Sequence, residues 1–413
     1  MSQAERQRYH VLKTVMNGRI TLKEGCHRMG VSYRQAKRLK MRFKDKGAAG
    51  LIHGNRGRES PNAMESTTRE TIIRLSEQIY TDFNDTQFTE KLNEVEKIKV
   101  SRETVRRLRR TNGIKPKRKR RPKKHHKRRL RKAQEGMMVL WDGSPHRWFG
   151  DDQEPCCMMA AIDDATGKLL DAFFIEYEGS FAYLKLLEAI VEKHGIPVCI
   201  YQDQHSSLRR NDNNWSLQEQ LAGKQEPTQV GLALESLGIR PIFALSPQAK
   251  GRVERLFGVL QDRLIAEMGL WKIKTIKEAN VFLRDVYIAD HNDRFAVEPQ
   301  QTQKAWRKAT RGLDLPRAIS FRYSATVASD NCVRLGGQTI DIPEGPGHRG
   351  YAKARVQVHQ LLDGSWRVYH KNKLIAETES TPLKEPIRAK ARRRPGLKGS
   401  SNENWVYMAS API

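Results

Sequence analysis

Residues 136–144, GMMVLWDGS, form an apolar run that ends at an acid, Asp142. Two more apolar runs follow, PCCMMAAID at 155–163 and KLLDAFFIEYE at 168–178, and the turn sequence DDATG joins them. Two such runs separated by a short polar turn predict a hairpin. This region therefore predicts three strands, with an acid at the end of the first.

A fourth apolar run, IPVCIYQDQHS at 196–206, ends in the same way, at Asp203. The remaining segments alternate between helix and strand: helices at 180–195, 228–238 and 247–268, the last opened by Pro247, and a strand at 239–246. Three strands followed by this alternation predict an α/β sheet with an antiparallel part. The polar stretch 208–228 predicts an insertion.

The chain is strongly basic. Of its 413 residues, 75 are Lys or Arg and 47 are Asp or Glu, which gives a net charge of +28. This excess favours a polyanionic partner such as nucleic acid, although ribosomal or membrane-surface binding would explain the charge alone. No apolar run approaches the roughly 18 residues of a membrane helix. Five cysteines without a C-x-x-C pair argue against structural zinc and a disulfide scaffold, and favour a reducing compartment.

Residues 1–55 predict a helix-turn-helix module. Thr21 and Ser32 are candidate N-caps on either side of a turn at Gly30. In the second helix, Ala36, Leu39 and Phe43 have helical spacing and would face inward. The outward positions are basic or polar: Arg34, Gln35, Lys37 and Arg38. A basic second helix of this kind enters the major groove of DNA; an ordinary basic helical hairpin is the alternative.

Residues 65–114 repeat the pattern and predict a second helix-turn-helix module. Thr89 and Ser101 are the candidate caps, and Leu92 and Val105 would lie inside. Five arginines are expected on the outside: Arg102, Arg106, Arg107, Arg109 and Arg110. All of these except Arg109 are predicted to contact DNA.

Residues 115–132, KPKRKRRPKKHHKRRLRK, hold 13 Lys or Arg and no acid. Such a segment cannot bury enough apolar surface to fold alone, and its two prolines interrupt any helix. We interpret it as a basic arm that follows the DNA phosphates through residues such as Lys117, Arg118 and Arg120. A solvated linker is the alternative.

The rest of the chain predicts three more parts. The core with its C-terminal helices would span 133–310. The alternating residues and the Asp363-Gly364 turn of 318–377 predict a small β-barrel. The basic, Pro- and Gly-containing segment 378–413 is expected to be a disordered tail.

Three acids stand where an α/β sheet presents functional groups: Asp142 and Asp203 at strand ends, and Glu254 on the helix after the fifth strand. Gly251 and Gly258 flank Glu254 on one helix face and leave room for a bulky ligand. Carboxylates are the ligands that Mg²⁺ or Mn²⁺ prefers, and two ions about 4 Å apart can hold the attacking and leaving oxygens of a phosphodiester. The basic neighbours expected to hold the DNA backbone are Lys250, Arg252 and Arg255.

Each acid also has an ordinary structural explanation. Glu254 could form a surface salt bridge with a basic neighbour. Asp163 and Asp164 compete for the metal role, but DDATG is better explained as turn chemistry. His205, two residues after Asp203, could contact the site or cap a turn.

The motifs WDGSPHRWFG, AIDDATGK, YQDQHSS and SPQAKGRVERLFGVLQDRL resemble those of bacterial insertion-sequence DDE transposases of the ISNCY type, in the retroviral-integrase superfamily. The S-P-x-x-x-G-x-x-E-R pattern marks Glu254 as the catalytic glutamate, and the aspartates carried over are Asp142 and Asp203. The resemblance implies a ribonuclease-H-like core with two Mg²⁺ or Mn²⁺ ions. The interval before Glu254 is longer than is usual in the family, and the stretch 208–228 accounts for the excess.

The resemblance further implies a transposase that binds terminal inverted repeats, cuts the strand at the element end and joins the freed 3′-OH to target DNA. A homo-oligomer on DNA in the bacterial cytoplasm, associated with the nucleoid and not with a membrane, would follow. An inactive transposase-derived DNA-binding regulator is the main alternative. A metal-dependent nuclease without strand transfer is another.

Overall fold

The protein was analysed as a computed structural model that describes residues 1–57, 63–117, 129–150, 152–210, 215–244, 251–381 and 386–387. The chain divides into two compact units, Met1–Arg74 and Leu75–Ile413. No helix in the described ranges is long and apolar enough to cross a membrane.

The first unit is helical. Its helices are α1 (Gln3–Met16), α2 (Leu22–Met29), α3 (Tyr33–Lys46), a 3₁₀ turn (Gly47–Leu51) and the start of α4 (Ser66–Gln78). Thr21 caps α2 and forms a capping box with Glu24, and Ser32 caps α3, as predicted. Gly30 ends α2 with φ +62°, a conformation that suits glycine. The sequence therefore places this helix-turn-helix correctly.

The second helix-turn-helix module opens the second unit, with α5 (Asp85–Glu94) and α6 (Arg102–Thr111). Ser101 caps α6 as predicted. Thr89 does not cap α5, because the helix begins earlier: Asn84 Oδ1 accepts from Gln87 N at 2.8 Å. Thr89 lies inside the helix, where its hydroxyl donates to the Asp85 carbonyl at 2.6 Å.

The expected outward position of Arg109 is wrong, since this side chain is only 4% exposed. Its guanidinium donates to the Phe83 carbonyl at 3.0 Å and to Asp85 Oδ1 at 2.9 Å. It also lies over the Phe88 ring. Arg109 therefore holds α6 against α5, and its charge is neutralised inside the module.

A five-stranded sheet forms the core, in the order β3-β2-β1-β4-β5. The strands are β1 (Met138–His146), β2 (Cys156–Asp163), β3 (Leu169–Ile175), β4 (Cys199–Gln202) and β5 (Arg240–Phe243). The first three are antiparallel, whereas β4 runs parallel to both β1 and β5. All five strands and the mixed α/β class were predicted.

Helices cover both faces of this sheet. They are α7 (Ser180–Lys193), α9 (Gln229–Ser236), α10 (Gly251–Leu270), α11 (Ile276–Phe282) and α12 (Ile288–Phe295), whereas the short helix α8 (Leu217–Ala222) has exposed leucines and belongs to neither core cluster. Helices α7 and α9 pack on one face, in a cluster with Val139 and Trp141. Helices α10 and α11 pack on the other face, in a cluster with Leu140 and Tyr201. The predicted opening of α10 by Pro247 lies outside the described residues.

After a short helix, α13 (Leu315–Ala318), the chain becomes β-rich. The strands are β6 (Phe321–Thr326), β7 (Cys332–Leu335), β8 (Gln338–Asp341), β9 (Arg355–Gln360), β10 (Trp366–His370) and β11 (Lys373–Glu377). Four of them form an antiparallel sheet, β11-β10-β9-β6, and β7 pairs only with β8. These described strands do not close into one barrel, so the predicted barrel is not confirmed.

The five cysteines of the chain are all buried and unpaired. Burial raises the pKa of Cys156 to about 11, and burial together with the nearby Glu178 carboxylate raises that of Cys157 to about 12. Cys156, Cys157 and Cys199 belong to the apolar clusters on the two faces of the sheet.

Candidate active site

The prediction that Asp142 ends the first strand is wrong, because β1 runs on to His146 and Asp142 pairs with Ala160 of β2; Asp203 does directly follow the last residue of the neighbouring strand β4. In the parallel pair of β1 and β4, Leu140 is opposite Tyr201. Asp142 is two residues beyond Leu140, and Asp203 is two residues beyond Tyr201. Continued past these last paired residues, the same register places Asp203, just after β4, beside Asp142 in the middle of β1.

A buried hydrogen bond supports this continuation of the register. Trp141 Nε1 donates to Gln202 Oε1 at 3.1 Å, one residue before each aspartate. Both side chains are 1% exposed. The bond therefore links β1 to the last residue of β4 immediately before the two aspartates.

The third acid lies on the same side of the sheet. Alternate residues of a strand point to opposite faces, so Asp142 shares the face of Leu140, which α10 covers. Glu254 is in the first turn of α10 and is exposed, while its neighbour Val253 is buried in the cluster on that face. Among the described residues the side chain of Glu254 forms no ion pair, and Lys250, one of its basic neighbours in sequence, lies outside the described range, so the surface salt bridge stays an alternative.

The three carboxylates are nevertheless not at metal-binding distance in this structure. Over the described ranges, no group of three or more His, Cys, Asp or Glu is arranged to hold a metal. The chemistry of the donor set still fits a hard cation, because it consists of carboxylate oxygens without a thiol.

Glu178, which the sequence analysis missed, is a fourth acid beside these strands. Tyr183 Oη donates to Glu178 Oε1 at 2.6 Å, and His205 Nδ1 is 3.9 Å from the same oxygen. A Cβ at Gly143 would lie 2.5 Å from Glu178 Oε2, so any larger residue next to Asp142 would require the Glu178 side chain to move. The only sequence signal for Glu178 was its place just after the third strand.

The charges of these acids act on Tyr183, and a backbone hydrogen bond holds Asp203 in place. Burial, and then the negative charges of Glu178, Asp142 and Asp203, raise the pKa of Tyr183 far above its usual range. The backbone N–H of His205 donates to Asp203 Oδ1 at 2.8 Å. His205 thus helps to hold the loop that carries the second aspartate.

Asp163 has the turn role that the sequence predicted. Its Oδ2 accepts from Thr166 N and Thr166 Oγ1, both at 2.8 Å, and its Oδ1 accepts from Gly136 N at 2.9 Å. Burial raises its pKa despite these hydrogen bonds. A fully buried carboxyl that closes a turn is not available to an external ligand.

Asp164 does more than close a turn. Its buried carboxylate accepts from Arg129 at 2.5 and 3.1 Å, from Lys132 N at 2.8 Å and from Arg252. Burial favours the neutral form, but these hydrogen bonds outweigh it and lower the pKa of Asp164. Arg252, predicted to bind DNA, is therefore engaged within the protein.

The other predicted DNA-contact residues fall into three groups. Eight described ones are exposed on α3, α6 and α10: Arg34, Gln35, Lys37, Arg38, Arg102, Arg106, Arg107 and Arg255. Of these, Arg106 also pairs with Glu103 at 2.6 Å. Two are bonded within the second unit: Arg110 to Asp85 at 2.6 Å, and Lys117 to the Asp262 carbonyl at 2.7 Å. Arg118, Arg120 and Lys250 lie outside the described residues.

A basic crevice of about 740 Å³ lies between the second helix-turn-helix module and α10. Its basic lining comes from both sides: Arg102, Arg106, Lys117 and Arg255. Gly258 forms part of the wall, and a Cβ there would meet no heavy atom within 4 Å. The space beside Glu254 that the two glycines predicted is therefore present at Gly258.

Comparison with known proteins gives first the class of protein. Residues 7–59 match the model of a helix-turn-helix domain. With its charge of +28 and the exposed basic face of α3, the chain is a DNA-binding protein.

Two relatives then define the family. The chain is 36% identical over 365 residues to "Putative transposase y4bF" of Sinorhizobium fredii (strain NBRC 101917 / NGR234), covering 88% of this chain and 78% of that protein. It is 32% identical over 436 aligned positions to the transposase for insertion sequence IS1202 of Streptococcus pneumoniae, covering 94% and 91%. The chain belongs to the family of bacterial insertion-sequence transposases.

Solved structures give weaker likenesses. An intasome of simian T-cell lymphotropic virus with a PP2A regulatory subunit matches with a TM-score of 0.31 and 13% identity, over 74% of this chain and 99% of that one. The HTLV-2 integrase catalytic core in complex with magnesium matches with a TM-score of 0.26 and 15% identity, over 41% and 94%.

Proposed function

We propose that this transposase binds the terminal inverted repeats of its insertion sequence, cuts the DNA strand at the element end and transfers the freed 3′-OH to target DNA. Asp142, Asp203 and Glu254 are the catalytic, metal-ligating residues, and two Mg²⁺ or Mn²⁺ ions are the cofactor. The observation that carries the proposal is the register of β1 and β4, which sets Asp142 beside Asp203 on the face covered by α10.

The sheet order supports a ribonuclease-H-like core. The order β3-β2-β1-β4-β5 puts β1 at the centre of the sheet with β4 beside it, so Asp142, inside β1, and Asp203, just after the end of β4, both lie near the middle of the sheet. Central strand ends are where an α/β sheet exposes functional groups.

The residues of the site have separate tasks. Asp142 and Asp203 form the rigid part, because the Trp141–Gln202 hydrogen bond holds their strands. Glu254, in the exposed first turn of α10, would supply the third carboxylate for the ions. Bound Mg²⁺ would activate the attacking water or 3′-OH and stabilise the leaving oxygen. Arg255, exposed next to Glu254, holds the DNA backbone.

Strand transfer requires both ends of the element and the target together, and each chain has one triad. We therefore propose a homo-oligomer on DNA, with at least one copy for each end. The two helix-turn-helix modules of each chain would bind one terminal repeat.

Nicking of a labelled terminal repeat in Mg²⁺ tests the proposed site. We expect Glu254→Gln, Asp142→Asn and Asp203→Asn to bind the repeat as the parent does but to lose cutting by at least 1,000-fold. Asp163→Asn is the matched control: it exchanges a nearby buried acid for an amide, costs some stability at the turn and keeps cutting. Near-parental nicking by Glu254→Gln would mean that the triad is wrong.

A repeat already cut to a 3′-OH end separates the transposase from a nuclease. The parent protein should join this end to a plasmid, and Glu254→Gln should not. Cutting without joining would favour the nuclease, and end binding without either reaction would favour the inactive regulator.

A further inference from the structure

We infer that the second helix-turn-helix module is docked on the catalytic helix of its own chain, so that the DNA strand held by α6 enters the crevice next to Glu254 and is cut by the chain that binds it. The inference rests on the proposed function and adds that cutting occurs in cis and at a set distance from the module.

The docking contact joins α5 to the C-terminal half of α10. Lys91 Nζ lies 2.9 Å from Glu267 Oε2, and Gln87 Nε2 donates to Glu267 Oε1 at 3.0 Å. The same amide donates to the Arg263 carbonyl at 3.1 Å. Gln87 is 1% exposed and Glu267 is 8% exposed, so these polar groups are paired away from water.

A second set of ion pairs surrounds this contact. Glu90 pairs with Arg263, and Arg294 donates to both carboxylate oxygens of Glu94, at 2.9 and 2.6 Å. Arg263 is 8% exposed. Buried charges without partners are strongly unfavourable, so each side of this interface requires the other. The two elements therefore form a specific interface with paired buried charges, and not an incidental surface contact.

The start and the end of the module are also bonded to α10. Asn84, the cap of α5, donates to Asp262 Oδ2 at 2.6 Å, and Lys117, just after α6, donates to the Asp262 carbonyl. The module is therefore held at its beginning, along α5 and after its end. Only α6 keeps its exposed basic face, with Arg102, Arg106 and Arg107.

The docking fixes the distance along α10 between the second helix-turn-helix module and Glu254. Along a rigid helix with a rise of 1.5 Å per residue, Glu254 and Arg263 are about 14 Å apart. The crevice bridges the same interval: its lining includes Arg102 and Arg106 on one side and Arg255 on the other. A phosphodiester backbone that contacts all three arginines is led from the recognition helix to the residue next to Glu254.

Reversing the docking charges tests whether the interface positions the cut. Lys91→Glu and Glu267→Lys should each bind the terminal repeat within threefold of the parent. Each should reduce cutting at the parental phosphodiester at least tenfold and spread the remaining nicks over neighbouring positions. The double variant rebuilds the ion pair and should recover most of the parental rate and position. Lys99→Glu makes the same charge change at an exposed position of the module and should leave both unchanged.

These measurements distinguish failure of the docking inference from failure of the proposed function. If the parent does not cut at all, the proposed function fails. If the parent cuts and the single variants cut at the same position and rate, the docking inference alone fails. Failure of the double variant to recover, although thermal unfolding shows it folded, would also overturn the inference, because the charge pair would then not be what sets the cut.

Mixing two inactive variants tests cutting in cis. Arg102→Ala with Arg106→Ala removes binding by α6 but keeps the triad, and Glu254→Gln keeps binding but removes cutting. In cis, the mixture should cut no faster than the sum of the separate variants. Recovery of cutting to more than about a tenth of the parental rate would show that one chain binds and another cuts, and would overturn the inference.

Discussion

Arg252 and Asp164 form an ion pair between the first turn of α10 and the turn after β2, across 88 residues of sequence. Arg252 also donates to the Arg129 carbonyl at 2.6 Å, and Arg129 bonds the same Asp164 carboxylate. Asp164 thus connects the end of the basic arm to the start of α10. Glu254 lies two residues beyond this attachment.

Asp164→Asn should loosen that attachment. An amide cannot neutralise two guanidinium groups, and we expect a loss of about 2 kcal/mol, less than for a fully buried pair because Arg129 is 41% exposed. Urea unfolding at pH 7 measures the loss. Arg129→Gln is the control: it leaves the Arg252 pair in place and should cost less.

The pH dependence of this difference has a definite sign. Because the pKa of Asp164 is lowered from 3.8 in the folded protein, its stabilisation is present above that value and is lost as the pH falls through the lower folded pKa. The stabilities of the parent and Asp164→Asn should therefore begin to converge as the pH falls below 3.8 and should meet once it is below the folded pKa. A difference that persists unchanged in acid would mean that the ionised carboxylate is not the cause.

The basic face of α3 should recognise sequence. Arg34→Ala with Arg38→Ala should weaken binding to the terminal repeat by about 100-fold, and to random DNA by much less, because base contacts are lost. Lys44→Ala with Lys46→Ala, in the last turn of the same helix, is the matched control. Equal losses on both DNAs in a gel-shift titration would reduce the module to a phosphate-binding surface.

The arm 115–132 should supply mostly non-specific affinity. Its ends are attached through Lys117 and Arg129, so the residues to neutralise are those between them: Arg118, Lys119, Arg120, Arg121, Lys123 and Lys124, each to Gln. The slope of log affinity against log salt should fall by roughly five units if each contacts one phosphate.

A charge-matched variant controls for the change in net charge. It neutralises six basic residues of the C-terminal segment instead: Arg388, Lys390, Arg392, Arg393, Arg394 and Lys398. The arm variant should flatten the slope more than this control does. Equal slopes for the two variants would show that only the total charge matters and that the arm is a tether.

His291 should contribute an acid-sensitive part of the stability. Burial, and then the positive charge of Arg263, lower its pKa from 6.5 to about 4, although Asp290 opposes this. The unfolded chain takes up a proton below pH 6.5 and the folded chain does not until about pH 4. Stability is therefore retained above pH 6.5 and falls between these values, by about 3 kcal/mol for this one group.

His291→Phe should remove that part. The ring lies between Tyr287 and Phe295, and its Nδ1 has no hydrogen-bond partner among the described residues, so phenylalanine keeps the packing. Urea unfolding at pH 7 and at pH 4.5 should give a smaller difference for the variant than for the parent. His359, whose pKa is also lowered to about 4, should keep the remaining difference. An unchanged difference would contradict the assignment.

Local patterns predicted most of the fold. The five core strands were found because each is an apolar run bounded by turn residues, and Thr21 and Ser32 because a cap precedes its helix directly. Arg109 and Thr89 were misplaced for one reason. The start of α5 was set too late, so Asp85, the partner that neutralises Arg109, was not counted in the helix.

The site was predictable only in part for a similar physical reason. Asp142 and Asp203 end apolar runs, which is a local signal. Glu178 becomes part of the site through Tyr183 and the missing side chain of Gly143, and only the folded chain brings these together. The closure of the C-terminal strands likewise depends on pairing across long loops, which alternation along one strand does not encode.

The burial of all five cysteines makes the chain well suited to site-directed labelling. Alkylation requires an accessible thiolate, and the native thiols are enclosed, with the pKa of Cys332 also raised to about 11. A single cysteine introduced on the exposed face of α6 would react with a maleimide fluorophore ahead of the native ones. Distances between two labelled copies on paired DNA ends then become measurable without first constructing a cysteine-free protein.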